Sequence, residues 1–304
     1  VKFYINRLLK ETALLLALVW VVLTPKPVGA NLTDNDLCIS GTSNPSVSRQ
    51  IGKYTVRLYP DSAHNCQLAV IDNDSGRRVF ELSGSERFPE LYELSIDSDS
   101  GKRISGGEAP TLVLTSQSSN RVAGYEFRYI FASLGEQFEV LKEIVNQYGV
   151  HVKRLNKGGP MYLVTWDGTL GRFLFEELLR TRDYDFALPQ VILRLEGHRL
   201  LNASNCFPAR YDEQIAETRK KLTAQDVTRF LNAPAAKANV NTKIAILRRI
   251  LNYLYSGREQ QAWQTLHEMW PAADQERIKK ALLKAYRTGI LTQTDGPAQC
   301  DNKQ

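Results

Sequence analysis

Histidine is scarce in this chain: His64, His151, His198 and His267 stand far apart, and His267-Glu268 continues into Met269-Trp270-Pro271 without a second histidine. A zinc site of the His-Glu-x-x-His kind, with two imidazoles one helical turn apart, is excluded. Neither a Gly-x-Ser-x-Gly elbow nor a Gly-x-x-x-x-Gly-Lys-Ser/Thr loop occurs, so the strained serine nucleophile and the backbone phosphate cradle are absent too. Beyond residue 30 no run approaches the roughly eighteen apolar residues of a membrane helix. No cofactor is implied.

What the chain does have comes first at its start. Lys2, Arg7 and Lys10 precede an apolar block at residues 12–23, followed by Val28-Gly29-Ala30. That is the layout of a secretory signal peptide. Twelve residues cover ~18 Å as a helix against a bilayer core of ~30 Å, too short for a comfortable span. Cleavage after Ala30 would leave a chain starting at Asn31, exported and periplasmic, with secretion or a retained membrane tether as alternatives. The leader carries Lys2, Arg7, Lys10 and Lys26 against Glu11, so half of the formal charge of +6 leaves with it. The remaining charge is too small to imply nucleic acid. Residues 31–206 hold 19 basic and 22 acidic side chains, and residues 207–304 hold 16 and 10, so the basic excess lies in the second half.

Four cysteines, Cys38, Cys66, Cys206 and Cys300, lie beyond the leader. An even number in an exported chain suits a disulfide framework, with three connectivities open. The favoured pairs are Cys38–Cys66 and Cys206–Cys300, each closing a loop around one proposed domain, and free buried thiols are the alternative.

Residues 31–50 are polar and nearly aperiodic, an expected extended lead-in. Over residues 51–206, short runs rich in Val, Ile, Leu, Tyr and Phe alternate with turns: YTVRLY, QLAVID, RVFEL, LYELSI, TLVLTS, YEFRYIF, MYLVTW and VILRLE. The pattern predicts many short strands. Turns at Asp74-Ser75-Gly76, Ser100-Gly101, Leu134-Gly135 and Glu196-Gly197 each lie between two such runs, which makes consecutive hairpins the simplest outcome. Residues 171–182 have mixed period. From 207 to 291 apolar residues recur at helical spacing, predicting helices near 211–221, 224–232, 241–256, 259–270 and 274–288. Residues 292–304 read as a loose tail with a tether at Cys300. The expected class is α+β: a mainly β domain, then a small all-α domain.

Two internal echoes stand out. Ile71-Asp72-Asn73-Asp74-Ser75-Gly76 matches Ile96-Asp97-Ser98-Asp99-Ser100-Gly101. Asp72 with Asp74 and Asp97 with Asp99 could face a hard cation, yet glycine holds the next alternate position, and two carboxylates leave most of the ~6–8 calcium ligands to backbone and water. Ordinary hairpin turns are the simpler expectation. The second echo sets residues 103–115 against 154–166, each a glycine-rich loop feeding a buried strand. With these loops, the Tyr129-Ile130-Phe131 and Pro189-to-Arg194 strands, and the tail run from Leu254-Tyr255-Ser256-Gly257 through Ala262-Trp263 to Trp270-Pro271, the chain resembles bacterial exported proteins of unknown function that join FG-GAP/VCBS-like repeats to a short helical tail. The resemblance spans roughly residues 52–288 and implies β-propeller-blade-like units. About 150 β residues at ~50 per blade make an incomplete propeller. It also implies calcium loops, but Arg103 and Arg154 stand at the first carboxylate, Gly107 and Gly158 at a later one, and Thr111 and Tyr162 at the closing acid. The expectation is a metal-free loop, with the arginines replacing the cation or pointing to solvent. One tetratricopeptide-like helix pair in the tail is too little for a solenoid.

Candidate binding residues are turn aromatics and their neighbours: Tyr125, Trp166 with Asp167, and Phe173. Candidate catalytic residues are the acidic pairs Glu176 with Glu177 and Asp183 with Asp185, which could serve a glycosidase. The sequence favours an exported, non-catalytic binding protein, its partner a protein or glycan of the cell envelope, over a glycan-directed hydrolase.

Overall fold

A computed structural model describes residues 35–41, 46–83, 91–120, 124–173, 188–232 and 240–300. The β half consists of three successive antiparallel sheets, none of which closes on itself. The first is a meander of β2 (Val47–Ile51), β3 (Tyr54–Pro60), β4 (Cys66–Asp72) and β5 (Arg78–Ser83). The second runs β6 (Leu91–Asp97), β7 (Thr111–Asn120), β8 (Gly124–Leu134) and β9 (Phe138–Asn146), with β1 (Asn35–Ile39) on the outer edge of β6. The third is a meander of β10 (His151–Arg154), β11 (Met161–Trp166), β12 (Gln190–Glu196) and β13 (Arg199–Asn202). The mixed α+β class is as expected.

The two sequence echoes behave differently. The loops of the 51-residue echo lead into β7 and β11, each the second strand of its four-strand meander. The turns of the 25-residue echo join β4 to β5 and follow β6, which are not equivalent places. In both turns the first aspartate caps the backbone: Asp72 Oδ1 accepts from the amides of Asp74 (2.9 Å) and Ser75 (3.1 Å), and Asp97 Oδ1 from that of Asp99 (2.8 Å). These are Asx turns, the local bond that makes aspartate a turn residue.

Alternation divides the second sheet between two cores. Leu94, Ile96, Leu112, Leu114, Ile130 and Ala132 point toward the first sheet and pack with Tyr54, Val56, Leu58, Leu68 and Val70. Val113, Phe131 and Ile144 point the other way and join Leu163, Val191, Leu193 and Leu200 of the third sheet. Tyr54 is fully buried, and its hydroxyl donates to the carbonyl of Gly135 (3.1 Å), tying the first sheet to the β8–β9 turn. Large apolar side chains buried this completely stabilise by ~1.5–3 kcal/mol each.

Six helices are described: α1 (Gly168–Phe173), α2 (Pro208–Lys221), α3 (Ala224–Asn232), α4 (Val240–Tyr255), α5 (Glu259–Met269) and α6 (Gln275–Thr288). Pro208 opens α2, where its missing amide proton costs nothing, and Arg219, Lys220 and Lys221 sit in its last turn, against the helix dipole's negative end. Thr223 and Asp226 bond reciprocally at the start of α3. Gly257, at φ 79°, ends α4 in the left-handed region. Ile246, Leu247, Ile250, Leu251 and Leu254 of α4 are buried in the same core as the third sheet. Strands give way to helices at residues 206/207, and this core includes residues from both sides of that point.

Two expectations differ from the fold. The lead-in at 31–50 contains β1 and β2: in β2, Val47, Arg49 and Ile51 share the inner face, and an arginine among them hid the alternation. Arg49 Nη1 donates to the Asp97 carbonyl (3.1 Å). At the other end, Asp295 and Ala298 amides donate to the Leu200 and Asn202 carbonyls, so this segment runs along β13 as an added edge instead of a loose tail. Cys38 bonds Cys66, and Cys206 bonds Cys300.

Candidate binding cleft

On β6 the residues opposite the first core are Glu93, Ser95 and Asp97, since a strand presents alternate residues to alternate faces. Register aligns Ser95, Thr115 and Tyr129 in one row across β6, β7 and β8, and Glu93, Gln117 and Phe127 in the next. Val150 and His151, at the start of the third sheet, wall the far side. Together with Ser98 and Asp99 these residues line a cleft of about 390 Å³. It lies where the second core gives way to polar side chains along the same sheet face.

The electrostatics are those of partly desolvated acids. Burial pushes the Glu93 carboxyl above its ordinary range, with no opposing influence. Burial also raises Asp97, against the bond from the Asp99 amide; the Asp99 charge adds to the rise, while Lys102 and His151 oppose it. Lys102 pairs with Asp99. The Tyr129 phenol is raised by burial, opposed by a hydrogen bond with the Val150 backbone. Ser95 Oγ donates to the Thr115 carbonyl (3.4 Å), while Thr115 Oγ1 is buried with no hydrogen-bond partner among the described residues. The cleft thus presents acceptors, one unused hydroxyl, and the rings of Phe127 and Tyr129.

The residues expected from sequence are placed unevenly. Asp97 and Asp99 line the cleft, but Asp72 and Asp74 lie in another turn, where Asp72 pairs with Lys53 (3.1 Å). Among the described residues no three His, Cys, Asp or Glu side chains converge as a metal site requires. Arg103 and Arg154 are exposed. The loop before β7 is closed without Arg103: Thr111, at the closing-acid position, accepts the Ile104 amide on Oγ1 (3.3 Å), and Ser100 Oγ bonds the Val113 amide and carbonyl. Tyr162, at the matching position of the later loop, is buried against Phe207. Trp166 stands edge-on to His151 at 6.1 Å between ring centres, at the margin of the cleft. Tyr125 lies on β8 and Phe173 ends α1. Glu176, Glu177, Asp183 and Asp185 lie outside the described residues.

Asp167, grouped with Trp166 in the sequence, is wholly buried. Its Oδ2 accepts the Tyr255 hydroxyl (2.7 Å) and the Ile290 amide (3.3 Å), and its Oδ1 accepts the Thr169 amide (3.0 Å). Burial raises its carboxyl, with the Tyr255 bond the first of the opposing influences. A side chain at Gly289 would overlap this carboxylate, so glycine there is a matter of space. Asp167 joins the end of β11 to α4 and to the turn after α6; it serves the fold.

Thr115, Gln117 and His151 carried no sequence signal, because the cleft forms from strands of two sheets. The one available sign was the polar alternation Glu93, Ser95, Asp97 within an otherwise apolar strand. The fold and cleft define an α+β protein of open antiparallel meanders backed by helices. No protein-family model, curated protein or solved structure matches it. Two disulfides, and the absence among the described residues of a helix long and apolar enough to cross a membrane, are compatible with an exported protein.

Proposed function

We propose that this chain is an exported protein of the bacterial cell envelope, periplasmic after cleavage at Ala30, that works by binding a protein or glycan through the cleft between its second and third sheets. The observation that carries the reading is the row Glu93, Ser95, Asp97 with Thr115, Gln117 and two aromatic rings around one cavity. Polar groups converging on a concave site with aromatic walls suit recognition of a polar ligand. The three four-stranded meanders support relating the β half to propeller blades. Catalysis has less support: Glu93 and Asp97 stand four residues apart on one strand, with the Ser95 row between them, so they are not neighbours on the sheet face.

The test pairs retention of envelope material on the immobilised protein with a turnover screen on polysaccharides. Retention lost in Gln117→Arg, with no turnover, is expected. Turnover abolished by Glu93→Gln would replace the binding reading with a hydrolase.

A further inference from the structure

We infer that the cleft selects a ligand bearing a primary ammonium group on a hydroxylated framework, the class of amino sugars. This rests on reading the cleft as the ligand site. At about 390 Å³ the cavity is of monosaccharide to disaccharide size, near the lower end of small-molecule pockets. Two separate observations give its chemistry. Glu93 and Asp97 are half-buried, and no ion pair to either occurs among the described residues. A carboxylate held out of water without a cation is destabilised, and an arriving ammonium relieves that cost through a charge-assisted hydrogen bond. Metal is a poor fit, since among the described residues no three ligating side chains converge. Separately, Thr115 Oγ1 has no hydrogen-bond partner among the described residues and lies in the row between the two acids' rows, where a ligand hydroxyl can satisfy it. Phe127, half-buried beside the core residue Tyr129, supplies the apolar surface that the carbon face of a pyranose covers.

The charge logic gives a signature that neutral sugars lack. The groups facing Asp97 are Asp99 and Lys102 from the turn after β6, Tyr129 from β8 and His151 from β10; Arg49 on β2 reaches only its carbonyl. Glu93 has burial alone. An ammonium needs these carboxyls ionised, so binding weakens as pH falls through their raised range and is coupled to proton release there.

The experiment titrates the full chain with D-glucosamine and, in parallel, with N-acetyl-D-glucosamine, following backbone amide shifts and heat. Glucosamine is expected to shift Thr115, Gln117 and Glu93 at neutral pH, with an affinity at least roughly tenfold above that of the acetylated sugar and falling on acidification. Glu93→Gln should remove roughly tenfold of it, and Thr115→Val should weaken both sugars. Melting curves establish that both variants are folded. Equal binding of the two sugars at the cleft would overturn the ammonium assignment and leave the binding function standing. Shifts from neither sugar would also overturn it, while retention of envelope material that Gln117→Arg abolishes would still test the broader reading.

Discussion

Asp167 is fully buried, accepts hydrogen bonds from Tyr255, Thr169 and Ile290 among others, and has no cationic partner among the described residues, and that combination fixes how it responds to pH. Its carboxyl is raised, mainly by burial, so the folded chain holds this proton more tightly than the unfolded chain does. The stabilisation is fully present below the ordinary aspartate value of about 3.9 and is lost as pH rises through the raised value. Asp167→Asn removes the titration. We expect wild-type stability, relative to this variant, to climb as pH falls from 7 toward 4, read from thermal melts. Parallel profiles would refute the assignment. Tyr255→Phe takes away a bond that favours the charged form, costing about 2 kcal/mol at neutral pH, and should move the onset of the climb to higher pH. Asp61, Asp72 and Asp295, whose carboxyls are lowered by hydrogen bonds or ion pairs, act in the opposite sense at lower pH and are common to both proteins.

At the scale of elements, the cap of α3 isolates one local contribution. Thr223 Oγ1 accepts the Asp226 amide at 3.1 Å, and Asp226 Oδ2 accepts from the amide and hydroxyl of Thr223. All of this is on the surface, so Thr223→Ala changes little but the helix end. A loss of about 1 kcal/mol in urea denaturation is expected, and no loss would mean that the packing of Phe230 alone holds the helix. The helices were legible because each carries its own start, period and stop. The 224–232 prediction coincides with α3, and the other four differ from their helices by one to three residues at an end. Strands were legible where both faces or one clean face were apolar, as in QLAVID. They were hidden where a neighbour supplies the stability: β10 (HVKR) keeps only one residue half-buried, and β1 owes its place to its pairing with β6 and to Cys38. The edge at residues 295–298 was hidden for the same reason, being set by backbone bonds to β13 and by Asp295, which accepts from the Leu200 amide and Lys142. The cleft needed register between distant strands, which periodicity does not encode.

Two whole-molecule tests follow from how the elements share cores. Cys38–Cys66 spans 28 residues and Cys206–Cys300 spans 94. Loop-closure entropy assigns them about 3.6 and about 4.7 kcal/mol. Replacing both cysteines of the longer bridge by alanine should therefore lower stability more than replacing the shorter pair, as read from denaturation midpoints, and the reverse order would show that local packing outweighs chain entropy. The second test concerns the change from strands to helices at Phe207. Leu163, Val191, Leu193 and Leu200 of the third sheet lie in one cluster with Leu247, Leu251, Leu254 and Ile278 of the helices, while Val113 and Phe131 of the second sheet enter that cluster from behind. Removing residues 207–304 would uncover one side of the third sheet, and with it a face of the sheet that also carries the first core. A fragment of residues 31–206 is expected to bind a hydrophobic dye and lack a cooperative melt, whereas the whole chain unfolds in one transition. A fragment that melts sharply without dye binding would show two independent domains. The cleft is built on that shared second sheet, so the helices hold the cleft in shape without lining it.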